Sequence, residues 1–143
     1  MNITIPDNID DGLQKLPEGL ATVALEKIIL GVSKANKPKA TFRYVIIEEM
    51  ENASEGKSTV GATILETYSL QPQALFNLAR TYKEATKEAL PQGDYSEEEF
   101  LALISQALCG SSWNVILTNE APYNDPNGEL RTNISKKTFL SFV

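Results

Sequence analysis

The residues with the clearest chemical direction are cations. The stretch VSKANKPKATFRYV, from Val32 to Val45, carries Lys34, Lys37, Lys39 and Arg43 and no acid, in a chain with a formal net charge of -6 and a pI near 4.7. From Lys27 to Arg43 there are five basic residues and no acid; from Arg131 to Val143 there are three, again with no acid. Between them, Tyr44 to Glu66 holds five acids against Lys57 alone. Ammonium and guanidinium groups without carboxylate neighbours suit phosphate oxygens, and flat rings beside them accept any base. Acids elsewhere on the molecule do not cancel such a patch, because salt screens charges beyond roughly 8–10 Å. The same charges would also suit a solvated sheet edge that resists aggregation.

Other chemistry finds little support. The chain has no His and one Cys, which removes the commonest general base and excludes an imidazole or thiolate zinc site. Glu97, Glu98 and Glu99 are consecutive, so on a helix they point in different directions and read as a charged first turn. Gly56-Lys57-Ser58-Thr59 resembles the end of a phosphate-binding loop, but position 51 is Glu where that loop needs Gly, and a strand-like segment follows. Asp94, Glu120 and Asp125 have no general-base partner. No enzyme activity, cofactor or metal is expected. Cys109 cannot form an internal disulfide and fits a reducing compartment. No run of 18 apolar residues exists, so no membrane partner is expected; MNITIPDNIDDGL lacks a basic-then-apolar pattern, so no secretion signal is expected.

The elements that must position the cations follow from period and punctuation. At 143 residues and 42% hydrophobic, the chain is expected to be one domain over 1–143, with 1–18 as an N-terminal arm. LATVALEKIILGVSK suits a long strand and Ser33–Pro38 a turn. KATFRYVIIEEM is a second strand, with Ala40, Phe42, Tyr44 and Ile46 on one face and Thr41, Arg43, Val45 and Ile47 on the other. TVGATILETYSL, residues 59–70, reads as a third strand loosened by Gly61. SLQPQALFNLARTYKEATKEAL is helical, with Leu75, Leu78, Ala79 and Tyr82 on its apolar side, Pro72 in the first turn and a stop before Pro91. Ser96 with Glu99 makes a capping box for a second helix that stops at Gly110, with Phe100, Leu103, Ile104 and Leu108 as its stripe. SSWNVILTNE and LRTNISKKTFL are strands joined by a loop containing Asn-Gly. Phe42, Tyr44, Tyr68 and Phe76 are expected in the core, and Trp113 and Tyr123 are the better candidates for exposed rings. The order fits either a five-stranded OB-fold or a generic α+β sandwich.

From Pro17 to about Phe139 the chain resembles the small single-stranded DNA-binding proteins of bacteriophage replication and recombination modules. The resemblance lies in Leu16-Pro17-Glu18-Gly19 before the first strand, Ser33-Lys34 and Asn36-Lys37-Pro38 before Tyr44-Val45-Ile46, ILETYSLQPQALFNLARTYKEA over 64–85, and Leu108-Cys109-Gly110 before an Asn-Gly hairpin. It implies a mainly β fold with inserted helices (α+β), a five-stranded OB-fold barrel with two helices between strands 3 and 4. It implies coating of single-stranded DNA without chemistry, as a homodimer or higher oligomer, in the cytoplasm of a bacterial host, beside replication or recombination proteins. The binders carried over by position are Lys34, Lys37, Lys39, Thr41 and Arg43 in the first hairpin, and Trp113, Tyr123, Arg131 and Lys136 in the second. Many such proteins end in an acidic tail with an apolar tip, whereas this chain ends KKTFLSFV. That departure, with the overall acidity, leaves a rival from another class: an OB-derived protein-interaction module, such as a phage structural or host-inhibiting protein.

Overall fold

Alternating side chains fold the first half of the chain into a meander. A computed structural model describes residue 3 and residues 16–51, 58–121 and 130–143. In it, β1 (Gly19–Val32), β2 (Pro38–Ile46) and β3 (Thr63–Ser69) are followed by a 3₁₀ turn (Pro72–Ala74), α1 (Phe76–Thr86), α2 (Glu97–Leu108), β4 (Ser111–Glu120) and β5 (Arg131–Phe142). The expected element order holds, and the chain is mainly β with two helices inserted between the third and fourth strands. All five strands lie in one antiparallel sheet of order β3-β2-β1-β4-β5. The sheet is not closed by a ladder: β3 and β5 are its edges.

The β2 alternation falls as its sequence predicts. Ala40, Phe42, Tyr44 and Ile46 are fully buried and Arg43 is exposed. They meet Val23, Leu25 and Ile28 of β1, Ile64 and Tyr68 of β3, and Trp113, Val115 and Leu117 of β4 in one core. Phe42 and Tyr68 pack at a tilt of 59° with centroids 4.8 Å apart. Both helices cover this core, Leu78, Tyr82 and Ala85 from α1 and Ile104 and Leu108 from α2. The Ser96–Glu99 capping box forms as expected, its side chain and backbone groups bonded reciprocally. Leu16 is buried at the end of the expected arm, and its carbonyl accepts from Asn119 Nδ2 at 3.0 Å; residues 4–15 lie outside the described residues.

Three expectations need correction. The third strand starts at Thr63 rather than at residue 59. Gly61 takes φ +89 in a turn closed by Ala62 N–H donating to the Thr59 carbonyl, while Thr59 is held by the Glu49 carboxylate through its N–H (2.6 Å) and hydroxyl (2.8 Å). These bonds, led by the Thr59 N–H, hold the Glu49 carboxyl below its ordinary range. The first helix is shorter than its apolar pattern: Lys87 turns into the left-handed region (φ 65) and ends it before Pro91. Phe76, expected in the core, is 56% exposed, because the inward face of α1 is set by Leu78, Thr81, Tyr82 and Ala85.

Candidate nucleic-acid interface

The β1–β2 hairpin is built to hold its tip still. Ser33 N–H donates to the Lys37 carbonyl at 2.8 Å and Asn36 N–H to the Ser33 carbonyl at 2.8 Å; Lys37 N–H reaches the Ser33 hydroxyl at 3.2 Å. Asn36 sits at φ 59, a conformation Asn tolerates better than most residues. Lys34 and Lys37 are exposed on this loop, and Lys39 follows it at the base of β2.

From there the outward face of β2 continues the line. Lys39 stands between Gly31 and Ser69, Thr41 between Ile29 and Thr67, and Arg43 between Lys27 and Leu65. The structure therefore brings Lys34, Lys37, Lys39, Thr41 and Arg43 together on one hairpin and its outgoing strand. The outward positions of β3 are Thr63, Leu65, Thr67 and Ser69, with no acid, because Glu66 pairs with Phe42 and faces inward. Ile29 (46%) and Leu65 (55%) are exposed beside the cations. Sequence reasoning missed both; the period-2 pattern of their strands was the available signal.

Acids frame this face. A register shift between Leu25 and Lys27 lets Glu26 stand beside Arg43, with Oε2 3.7 Å from Nε. A cleft of about 350 Å³ sets Lys27, Ile29 and Leu30 against Glu97 and Glu98 of α2. At the far end of β2, a second cleft of about 340 Å³ is lined by Leu20, Thr22, Glu48, Glu49 and Glu51. The β2 strand thus runs from a basic end to an acidic one.

The second set of expected binders disperses. Trp113, expected as an exposed ring, is 1% exposed: it shares the inward side of β4 with Val115 and Leu117, its Nε1–H donates to Ser111 Oγ at 2.8 Å, and Phe139 meets it edge-on at 5.4 Å. Its ring is part of the core and offers no platform. Tyr123 lies outside the described residues. Arg131 is exposed at the start of β5, opposite Glu120; Lys136 is exposed opposite Ile116 on the same strand. Neither shares a ladder with β2.

The neighbour of Lys136 does something different. Lys137 reaches across from β5 to β3, where its Nζ lies 2.7 Å from Glu66 Oε1, donates to Tyr68 Oη, and stands 3.4 Å from Tyr44 Oη. Aromatic rings surround the ammonium, with centroids at 4.7 Å (Tyr68) and 5.1 Å (Trp113). The Lys137 side chain is 12% exposed and that of Glu66 18%. Burial pulls the Lys137 ammonium below its ordinary range, against the pull of Glu66 and Glu84. Burial, then Glu66, pushes the Tyr44 and Tyr68 phenols well above theirs.

No protein-family model matches the chain, and no curated protein matches it. Among the described residues, no group of three or more His, Cys, Asp or Glu is placed to hold a metal ion, and no helix is long and apolar enough to cross a membrane.

Proposed function

We propose that the chain binds single-stranded DNA without chemistry, through the β1–β2 hairpin and the outward face of β2 and β3. The observation that carries this reading is the acid-free run of Lys34, Lys37, Lys39, Thr41 and Arg43, continuous from loop to strand. The cations would take phosphates, and Ile29 and Leu65 would give the bases an apolar floor in place of the ring stack expected of Trp113. The fold reading that goes with it is a partly open OB barrel, split between β3 and β5. In that fold the strand 2–3 face and the first loop are where oligonucleotides bind. The phage replication or recombination setting, the oligomeric state and the bacterial cytoplasm belong to the same proposal.

The experiment is a titration of fluorescein-labelled oligo-dT, followed by anisotropy at several salt concentrations. Affinity falling linearly on a log–log plot supports the reading. Replacing Lys34, Lys37 and Lys39 together by Gln should make that slope shallower by about 2, at roughly 0.7 per phosphate contact on a single strand. No binding at micromolar protein in low salt would sink it.

One observation favours the rival. Leu20 (64%) and Ile116 (41%) are cross-strand partners exposed together on β1 and β4, which suits a protein surface better than a nucleic acid. Binding of a protein in place of oligo-dT would move the reading there.

A further inference from the structure

Phe76, Arg80, Lys83 and Lys87 recur at helical spacing along α1, from its first residue to its C-cap. All four are exposed, on the side away from buried Leu78, Tyr82 and Ala85. At 1.5 Å per residue the line is about 16 Å long. The Arg80 guanidinium lies 5.7 Å from the Phe76 ring centroid. Lys87 closes the far end, but its Nζ is held toward β5, donating to the Glu84 carbonyl at 2.8 Å and standing 5.4 Å from the Phe139 ring centroid, so Arg80 and Lys83 are the outward cations. Of the two acids adjacent to the stripe in sequence, Glu84 is turned away, its carboxylate accepting the Phe139 backbone N–H at 2.6 Å toward β5, while Glu88 is exposed beside Lys87 at the far end. Neither ion pair among the described residues involves the stripe.

A solvated helix face accounts for the cations, and the exposed Phe76 ring beside them adds the flat apolar surface on which a base can stack. The ring also stands at the right end. The chain leaves β3 beside the basic hairpin, where Leu70 N–H donates to the Pro38 carbonyl at 3.0 Å, passes the 3₁₀ turn, and begins α1 at Phe76. The aromatic end of the stripe is thus the end that follows the loop end of the hairpin.

We infer that this face of α1 is a second contact surface for single-stranded nucleic acid, on the helix side of the sheet and reached by a nucleic-acid strand that turns past the Lys39–Ser69 end of β2 and β3: Phe76 stacks on a base, and Arg80 and Lys83 take the phosphates that follow. This rests on the reading of the β2 face as a nucleic-acid surface. A ring beside cations separates this ligand from an acidic protein segment, which would use the charges and leave the ring idle.

The test compares the unmodified protein with Phe76→Ala and with Arg80→Gln/Lys83→Gln, in labelled oligo-dT anisotropy across salt. Circular dichroism checks each fold. The double variant should make the salt slope shallower by about 1.4, at roughly 0.7 per contact. Phe76→Ala should weaken binding about tenfold with the slope unchanged, the size of a lost base–aromatic stack. Photo-crosslinking of the unmodified protein to bromodeoxyuridine-substituted oligo-dT needs no variant, and an adduct on the peptide containing Phe76 is expected. If the protein binds oligo-dT while both variants match it in affinity and slope, or adducts form only elsewhere, the α1 surface is overturned and the β2 reading stands. If the unmodified protein does not bind, both fall. If poly-glutamate competes as well as oligo-dT and Phe76→Ala has no effect, the stripe reads charge alone and the inference fails.

Discussion

Lys137 and Glu66 form a largely buried ion pair, 2.7 Å apart, between β5 and β3, the two edge strands of the sheet, which share no main-chain ladder. Glu66 also accepts from the Tyr44 hydroxyl at 2.8 Å, and the Tyr68 hydroxyl bonds Thr81 Oγ1 of α1 at 2.8 Å. The pair therefore links β5, β3, β2 and α1 through side chains where the backbone does not.

Breaking that pair from one side strands a charge. Lys137→Ala should cost about 3–5 kcal/mol in urea unfolding, since Glu66 stays buried without its cation. The triple change Lys137→Met/Glu66→Leu/Tyr44→Phe, which also removes the hydroxyl that Glu66 accepts from, should recover most of the loss. A triple variant no more stable than Lys137→Ala would show that the charge is not what matters.

Alkaline stability should be set by the two phenols. Their folded-state pKa values are raised, so their stabilisation is complete below the unfolded value of about 10 and is lost as pH climbs above it. Lys137 has the opposite sign: its lowered value adds stability between that value and the ordinary lysine value of about 10.4. Two phenols against one ammonium leave a net loss above pH ~10. In phenolate absorbance, Tyr44 and Tyr68 should stay silent until the chain unfolds. Ionisation of all five tyrosines in a still-folded protein would contradict this.

Trp113 should emit as a buried indole, blue-shifted and little quenched by acrylamide, with a spectrum that oligonucleotide leaves unchanged. Its removal as Trp113→Ala should cost about 3–5 kcal/mol, the range for losing a large aromatic from a packed core. Strong quenching of the unmodified protein by oligo-dT would place the ring outside the core.

Glu26 competes with any phosphate for Arg43. Glu26→Gln should tighten oligo-dT binding several-fold at low salt, an effect that disappears in an Arg43→Gln background. Exposed pairs of this kind are worth only about 0.2–1 kcal/mol, so the change in fold stability should be small. Equal gains in both backgrounds would assign the effect to net charge instead.

Local rules made much of the fold legible. Period-2 alternation placed Phe42 and Tyr44 inside and Arg43 outside, and Ser96 with Glu99 marked the start of α2. The same alternation, carried from Leu117 and Val115 back to Trp113, would have buried the tryptophan. Phe76 was harder, because a ring beside Leu75 and Leu78 reads as core until the partner elements choose which side of the helix is covered. Glu66 and Lys137 were not legible, since each is a charge in a strand and their pairing, between residues 71 positions apart, exists only once β5 is laid against β3.

The two edges have a kinetic face as well. Edge strands have alternate amides with no ladder partner, and on β5 the Phe139 N–H is held by a glutamate carboxylate instead. Hydrogen exchange should therefore draw a line of weakly protected amides along β3 and β5 through an otherwise slow-exchanging body. The rings gathered around Lys137 beneath that line, Tyr44, Tyr68 and Trp113, are buried, so the molecule is firm inside where its backbone is least fastened.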